Sequence, residues 1–109
     1  MAYDEKLATR IRDLVGSRAG IQEKKMFGGI AFMLNGNMAC GVNGTDMIVR
    51  LAPEETDDAL AEPGVRLFDM TGRPMKGWIL VAAQATTKAK DLRRWVDRGT
   101  AYAASLPPK

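Results

Sequence analysis

Side chains that attack, shuttle protons or hold metals are scarce in this chain. It contains no histidine. That removes Ser-His and Cys-His nucleophile pairs, imidazole metal ligands and the usual general base near neutral pH. One cysteine, Cys40, excludes an internal disulfide and a cysteine-cluster zinc site. With no imidazole to lower its pKa, Cys40 reads as a small hydrophobe. No catalytic residue, metal or cofactor is expected.

The remaining candidates each have a plainer explanation. Seven methionines could be soft-metal ligands or an adaptable binding surface, but Met33, Met38 and Met47 fall where a core needs gap-fillers. Gly28-Gly29 and Gly41…Gly44 match neither a dinucleotide nor a P-loop spacing, and neither pair opens a helix. Glu54, Glu55, Asp57 and Asp58 sit at a predicted helix start, where the dipole and solvation account for them better than a metal does.

Two cationic clusters are left. Lys90, Arg94 and Arg98 recur at helical spacing, as a stripe that could track phosphates or as the solvated face of an amphipathic helix. Arg73, Lys76 and Trp78 gather in the segment Thr71-Gly-Arg-Pro-Met-Lys-Gly-Trp78. They could bind an anion or stack a base, or form a rigid turn with one anchoring aromatic. The net charge is +3, with two basic and six acidic side chains in residues 52–75 and seven basic and two acidic in residues 76–109. So mild an excess permits a nucleic-acid role without arguing for one.

The elements that position these residues follow from periodicity. At 109 residues, 46% hydrophobic and 27% charged, the chain is expected to form one globular domain over 1–109. Leu7, Ile11, Leu14 and Val15 mark one face of a helix capped by Asp4. Asn35-Gly36 and Asn43-Gly44 separate strand-like runs, which predicts an antiparallel meander over 27–34, 37–42 and 45–51. Pro53-Glu54-Glu55 starts a second helix that runs to about Ala61. Val65–Phe68 and Gly77–Ala82 read as two more strands. Thr86 or Thr87 caps a last helix carrying Leu92, Trp95, Val96, Gly99, Ala103 and Leu106. The order α-β-β-β-α-β-β-α predicts an α+β fold, an antiparallel sheet with helices packed on one face.

Two-residue loops at both Asn-Gly pairs set a register: Met33 opposite Met38, Ala31 opposite Cys40, Met38 opposite Val49, Cys40 opposite Met47. The charge-free face then collects Ala31, Met33, Met38, Cys40, Val42, Met47, Val49 and Leu51 as core. A single bulge would break this register. The opposite face holds Ile30, Phe32, Leu34 and Ile48, with Arg50 and Asp46 at its margin. An apolar patch of this kind predicts a contact surface, and a second copy of the chain is its simplest occupant.

The first residues place acid where a secretory signal needs a basic region, and the longest apolar runs fall far short of a ~20-residue membrane span. With a lone thiol, the cytoplasm is the expected compartment and no membrane partner is expected.

Lys25-Met-Phe-Gly-Gly-Ile-Ala-Phe-Met-Leu-Asn-Gly-Asn-Met38, Met47-Ile-Val-Arg50 and the segment Thr71–Trp78 together resemble the TfoX N-terminal domain family, the amino-terminal module of the bacterial TfoX or Sxy competence regulators. The likeness extends over nearly the whole chain. It implies a compact α+β fold and a link to transcriptional control of DNA uptake, where the long members act with the cyclic-AMP receptor protein. It supplies no catalytic residues. The long regulators carry a second, helical domain, and this chain is expected to be a short single-domain member.

The expectation is therefore a non-enzymatic cytoplasmic interaction or regulatory module whose partner is a protein, a homodimer included. Direct nucleic-acid binding through the basic C-terminal helix is the first alternative. A small-ligand or anion sensor is the second.

Overall fold

The computed structural model describes residues 3–16, 18–26, 29–68 and 76–108. Asp4 opens the first helix, α1 (Glu5–Val15), by accepting the Lys6 and Leu7 amides, which have no acceptor within the helix. Leu7, Ala8, Ile11 and Val15 are its buried stripe. Leu14, expected on that stripe, is exposed at its margin, in the shallow seam that also takes Leu92.

Among the described residues six strands follow: β1 (Ile21–Met26), β2 (Gly29–Leu34), β3 (Asn37–Asn43), β4 (Asp46–Arg50), β5 (Val65–Leu67) and β6 (Trp78–Val81). They form one antiparallel sheet in the order β1-β2-β3-β4-β6-β5. A 3-10 turn at Pro53–Glu55 leads into the short α2 (Thr56–Leu60), and α3 (Ala89–Ser105) closes the chain. The fold is α+β with the expected order of elements, plus β1 at the sheet edge. Ile-Gln-Glu-Lys-Lys-Met offers no alternation of apolar and polar residues. Its strand conformation comes from pairing along the full length of β2, reinforced where Arg12 of α1 grips Glu23 through two hydrogen bonds of 2.5 and 2.7 Å.

The first Asn-Gly turn is as expected: Asn35 and Gly36 both take positive φ, 53° and 84°, and Leu34 faces Asn37. Beyond it the register departs. Met33 faces Met38, but Phe32 faces Cys40, so Ala39 is an extra residue in β3. This bulge exchanges the two faces of β2 relative to the rest of β3. At the second turn Asn43 faces Asp46, and Cys40 faces Val49 rather than Met47. That shift is two residues and leaves the faces of β4 unchanged.

The correction is therefore specific to β2 and its neighbour Met38. Cys40, Val42, Met47, Val49 and Leu51 do face the helices, but their companions from β2 are Ile30 and Phe32, in one core with Leu92, Trp95 and Val96. Leu34 packs with Ala39 and Ala103 under the end of α3. Ile30, Phe32 and Leu34 are 5%, 0% and 2% exposed, so they are core and not a contact surface. The reverse face carries Ala31, Met38, Ile48, Phe68 and Leu80, with Met33 and Trp78 packed against them. Ile48 lies on its expected face, yet it is buried there in a second, smaller core.

The packing of α3 depends on the same bulge. Gly99 rests on Ala39, where a Cβ would stand 2.3 Å from the Ala39 carbonyl oxygen. Only a residue without a side chain lets the helix come this close. Thr100 donates its hydroxyl to the Val96 carbonyl, and Asn37, buried at the start of β3, donates to the Pro107 carbonyl at 2.9 Å. The chain beyond α3 is thereby tied across the end of the sheet.

Candidate functional site

Cys40 is fully buried in the helix-facing core, and burial pushes its thiol up to about 12. It lies where its residue type placed it, away from solvent and any anion-stabilising group. The acids Glu54, Glu55, Asp57 and Asp58 are exposed around the start of α2, and no group of three or more metal-ligating side chains forms among the described residues.

The basic stripe of α3 meets carboxylates of its own chain. Arg94 donates two hydrogen bonds to Glu62, at 2.8 and 3.0 Å, and this pairing raises the Arg94 guanidinium above its ordinary value. Arg98 lies 3.5 Å from both Glu55 and Glu62. Both guanidiniums also lie over the ring of buried Trp95, at 4.7 and 5.0 Å. Two acids from the acid-rich part of the sequence, Glu55 and Glu62, thus lie against two bases of α3, Arg94 and Arg98. Lys90 is exposed and has no carboxylate partner among the described residues.

Of the predicted turn cluster, Arg73 lies outside the described residues, Lys76 is exposed and Trp78 is half-buried. Two contacts fix Trp78. The buried Thr56 hydroxyl accepts the Gly77 amide at 2.7 Å, and the Gly77 carbonyl accepts the Leu51 amide at 2.6 Å. Gly77 has φ 86°, and a Cβ there would stand 2.7 Å from the Leu51 carbonyl oxygen, so glycine is required at this latch. The next residue, Trp78, then pairs across strands with Arg50 and packs near Phe68 with ring centroids 6.4 Å apart.

Arg50 is the surprise of this region. Of the residues that the sequence places on a contact surface, Ile30, Phe32, Leu34 and Ile48 are buried, and only Arg50 and Asp46 at the margin are not. Its guanidinium lies 5.0 Å from the Trp78 ring and 5.5 Å from the ring of Tyr102 on α3. Residues from two separate sequence clusters are thus brought together with a third, Tyr102, that no local signal singled out. The β4–β6 pairing that joins them follows a crossover past β5 and leaves no local mark in the sequence. Beside Tyr102, between α3 and the Pro53–Glu55 turn, runs a groove of about 400 Å³ lined by Ala52, Ala101 and Ser105, with Arg98, Glu54 and Glu55 at its sides.

Among the described residues, no helix is long and apolar enough to cross a membrane. A family model described as the TfoX N-terminal domain matches residues 13–103. No curated protein and no solved structure matches the chain.

Proposed function

The chain belongs to the TfoX N-terminal domain family, and from that premise we propose that it is a non-enzymatic, cytoplasmic interaction module of the competence-regulator type, acting in bacterial transcriptional control through a protein partner. The observation that carries this reading over direct DNA binding is the pairing of Arg94 and Arg98 with Glu62 and Glu55. A carboxylate beside each arginine offsets its charge and so weakens its pull on a phosphate. The buried, poorly ionised Cys40 supports a non-catalytic role.

The partner is a protein, and a second copy of the chain is one candidate. With Ile30, Phe32, Leu34 and Ile48 internal, any such contact uses other surfaces, of which the Arg50, Trp78 and Tyr102 cluster has the residue types that dominate protein interfaces.

Fluorescence anisotropy with a labelled random duplex tests the choice. A protein whose arginines track phosphates binds at low salt and loses affinity steeply as salt rises, with a log–log slope of about −0.9 per phosphate contacted. The interaction-module reading predicts no such binding. A steep salt dependence that disappears in an Arg94→Gln, Arg98→Gln double variant would instead make this a nucleic-acid-binding domain.

A further inference from the structure

Among the described residues the sheet ends at β1 on one side and β5 on the other. β5 has three residues, whereas β1 has six and pairs with β2 along its whole length without a bulge. The Gly20 carbonyl accepts the Asn35 amide, so in the alternating ladder Gln22 and Lys24 also turn their backbone groups toward β2. Ile21 points the other way, its amide donating to the Arg18 carbonyl, and the N–H and C=O groups of Glu23 and Lys25 follow it outward. Residues 69–75 cannot cover this edge. They leave from the end of β5 and return to β6, four strands or about 19 Å from β1, too far for so short a segment to reach and come back. An open edge of this length is a template for another strand.

We propose that β1 is a dimerisation edge: it pairs antiparallel with β1 of a second copy about a two-fold axis at Lys24, joining the two sheets into one. An axis perpendicular to the sheet sets residues of the same face opposite each other. Centred on Glu23 or on Lys25, it sets that charge against itself. Centred on Lys24, it sets Glu23 of each copy opposite Lys25 of the other, and no other axis within the strand brings opposite charges face to face. Glu23 and Lys25 are also the residues whose backbone groups point outward, so each such pair exchanges both N–H···O bonds. Arg12 takes two of the roughly four acceptor positions of the Glu23 carboxylate, which leaves room for the incoming ammonium. The cost is Lys24 facing its own copy across the axis, where both side chains are exposed and free to splay. The two lysines also discourage pairing with other edges. This goes beyond the partner reading above. β1 lies three strands from β4, so a self-contact here and a different protein at Arg50, Trp78 and Tyr102 stand or fall separately.

Light scattering on the full chain from micromolar to millimolar concentration should show a mass approaching twice 11.9 kDa. The register is tested by Lys24→Cys. At the axis the two Cα atoms form a non-hydrogen-bonded pair about 4.5 Å apart, within disulfide reach, so mild oxidation should link two chains. Gln22→Cys is the control, because its two copies stand about 14 Å apart and should not link. Buried Cys40 takes no part. Lys25→Pro removes an outward donor without touching the β2 ladder and should leave a monomer that is folded by circular dichroism. Lys25→Glu sets like charges against Glu23 and should weaken association roughly tenfold. A chain that stays monomeric throughout overturns the proposal, as does a dimer in which Lys24→Cys fails to link, Gln22→Cys links as readily, or Lys25→Glu leaves association unchanged.

Discussion

Replacing Phe32 by alanine separates the observed arrangement of the sheet from the one that plain strand alternation suggests. On an outward face, loss of this ring would cost little and would disturb any contact made there. In the structure Phe32 is 0% exposed, within the cluster that holds Ile11, Leu92, Trp95 and Val96. Removing a fully buried phenyl ring forfeits its transfer free energy and leaves a cavity, together about 3–5 kcal/mol. A domain of this size has a total stability of about 5–15 kcal/mol, so the loss is a large fraction of the whole. At roughly 4–8 °C per kcal/mol, the melting temperature should fall by at least about 12 °C. Thermal and urea denaturation followed by circular dichroism measure this, with light scattering to check that the mass is unchanged. A loss below about 1 kcal/mol, the range of exposed sites, would refute the bulge at Ala39 and restore Phe32 to the outer face.

Cys40 should resist a thiol reagent in the native protein and react only once denaturant is added, as followed by absorbance; rapid native labelling would contradict its burial. Converting Lys90, Arg94 and Arg98 together to glutamine should change stability by about 1 kcal/mol or less in urea titrations, because exposed ion pairs contribute little. The Glu23 carboxylate, hydrogen-bonded to Arg12, titrates below its usual range. Its contribution to stability is therefore present above the unfolded-state pKa and is lost as pH falls through the lower folded-state value. Melting temperatures measured from neutral to acid pH should accordingly show a smaller acid-side decline in Glu23→Gln, and an unchanged decline would rule the pair out as a contributor.

Much of the fold was legible because several local signals agreed. Asp4 capped the first helix, Asn35-Gly36 turned the first hairpin, and the stripe from Leu92 to Ala103 built α3. The two faces of β2 were not legible. Ile30, Phe32 and Leu34 are as apolar as Ala31 and Met33, and a strand buried on both sides has no polar residues to reveal which side faces the helices. The choice was made by the extra residue at Ala39, whose only hint is a glycine sixty positions away, Gly99. β1 escaped notice because an edge strand can be polar throughout and take its conformation from its neighbour. At the candidate site the same limit recurs. Trp78 stood out by composition, but Arg50 and Tyr102 join it only through a non-local strand pairing and the lie of a helix.

The claim that this chain acts through a protein partner is tested most directly by recovering it from its own cells under nuclease treatment, identifying what accompanies it, and mixing the purified pair. The account predicts a binary complex of defined stoichiometry that survives nuclease and is weakened by Arg50→Gln or Tyr102→Ala. Recovery of nucleic acid in place of a protein, with binding lost on nuclease treatment, would contradict it.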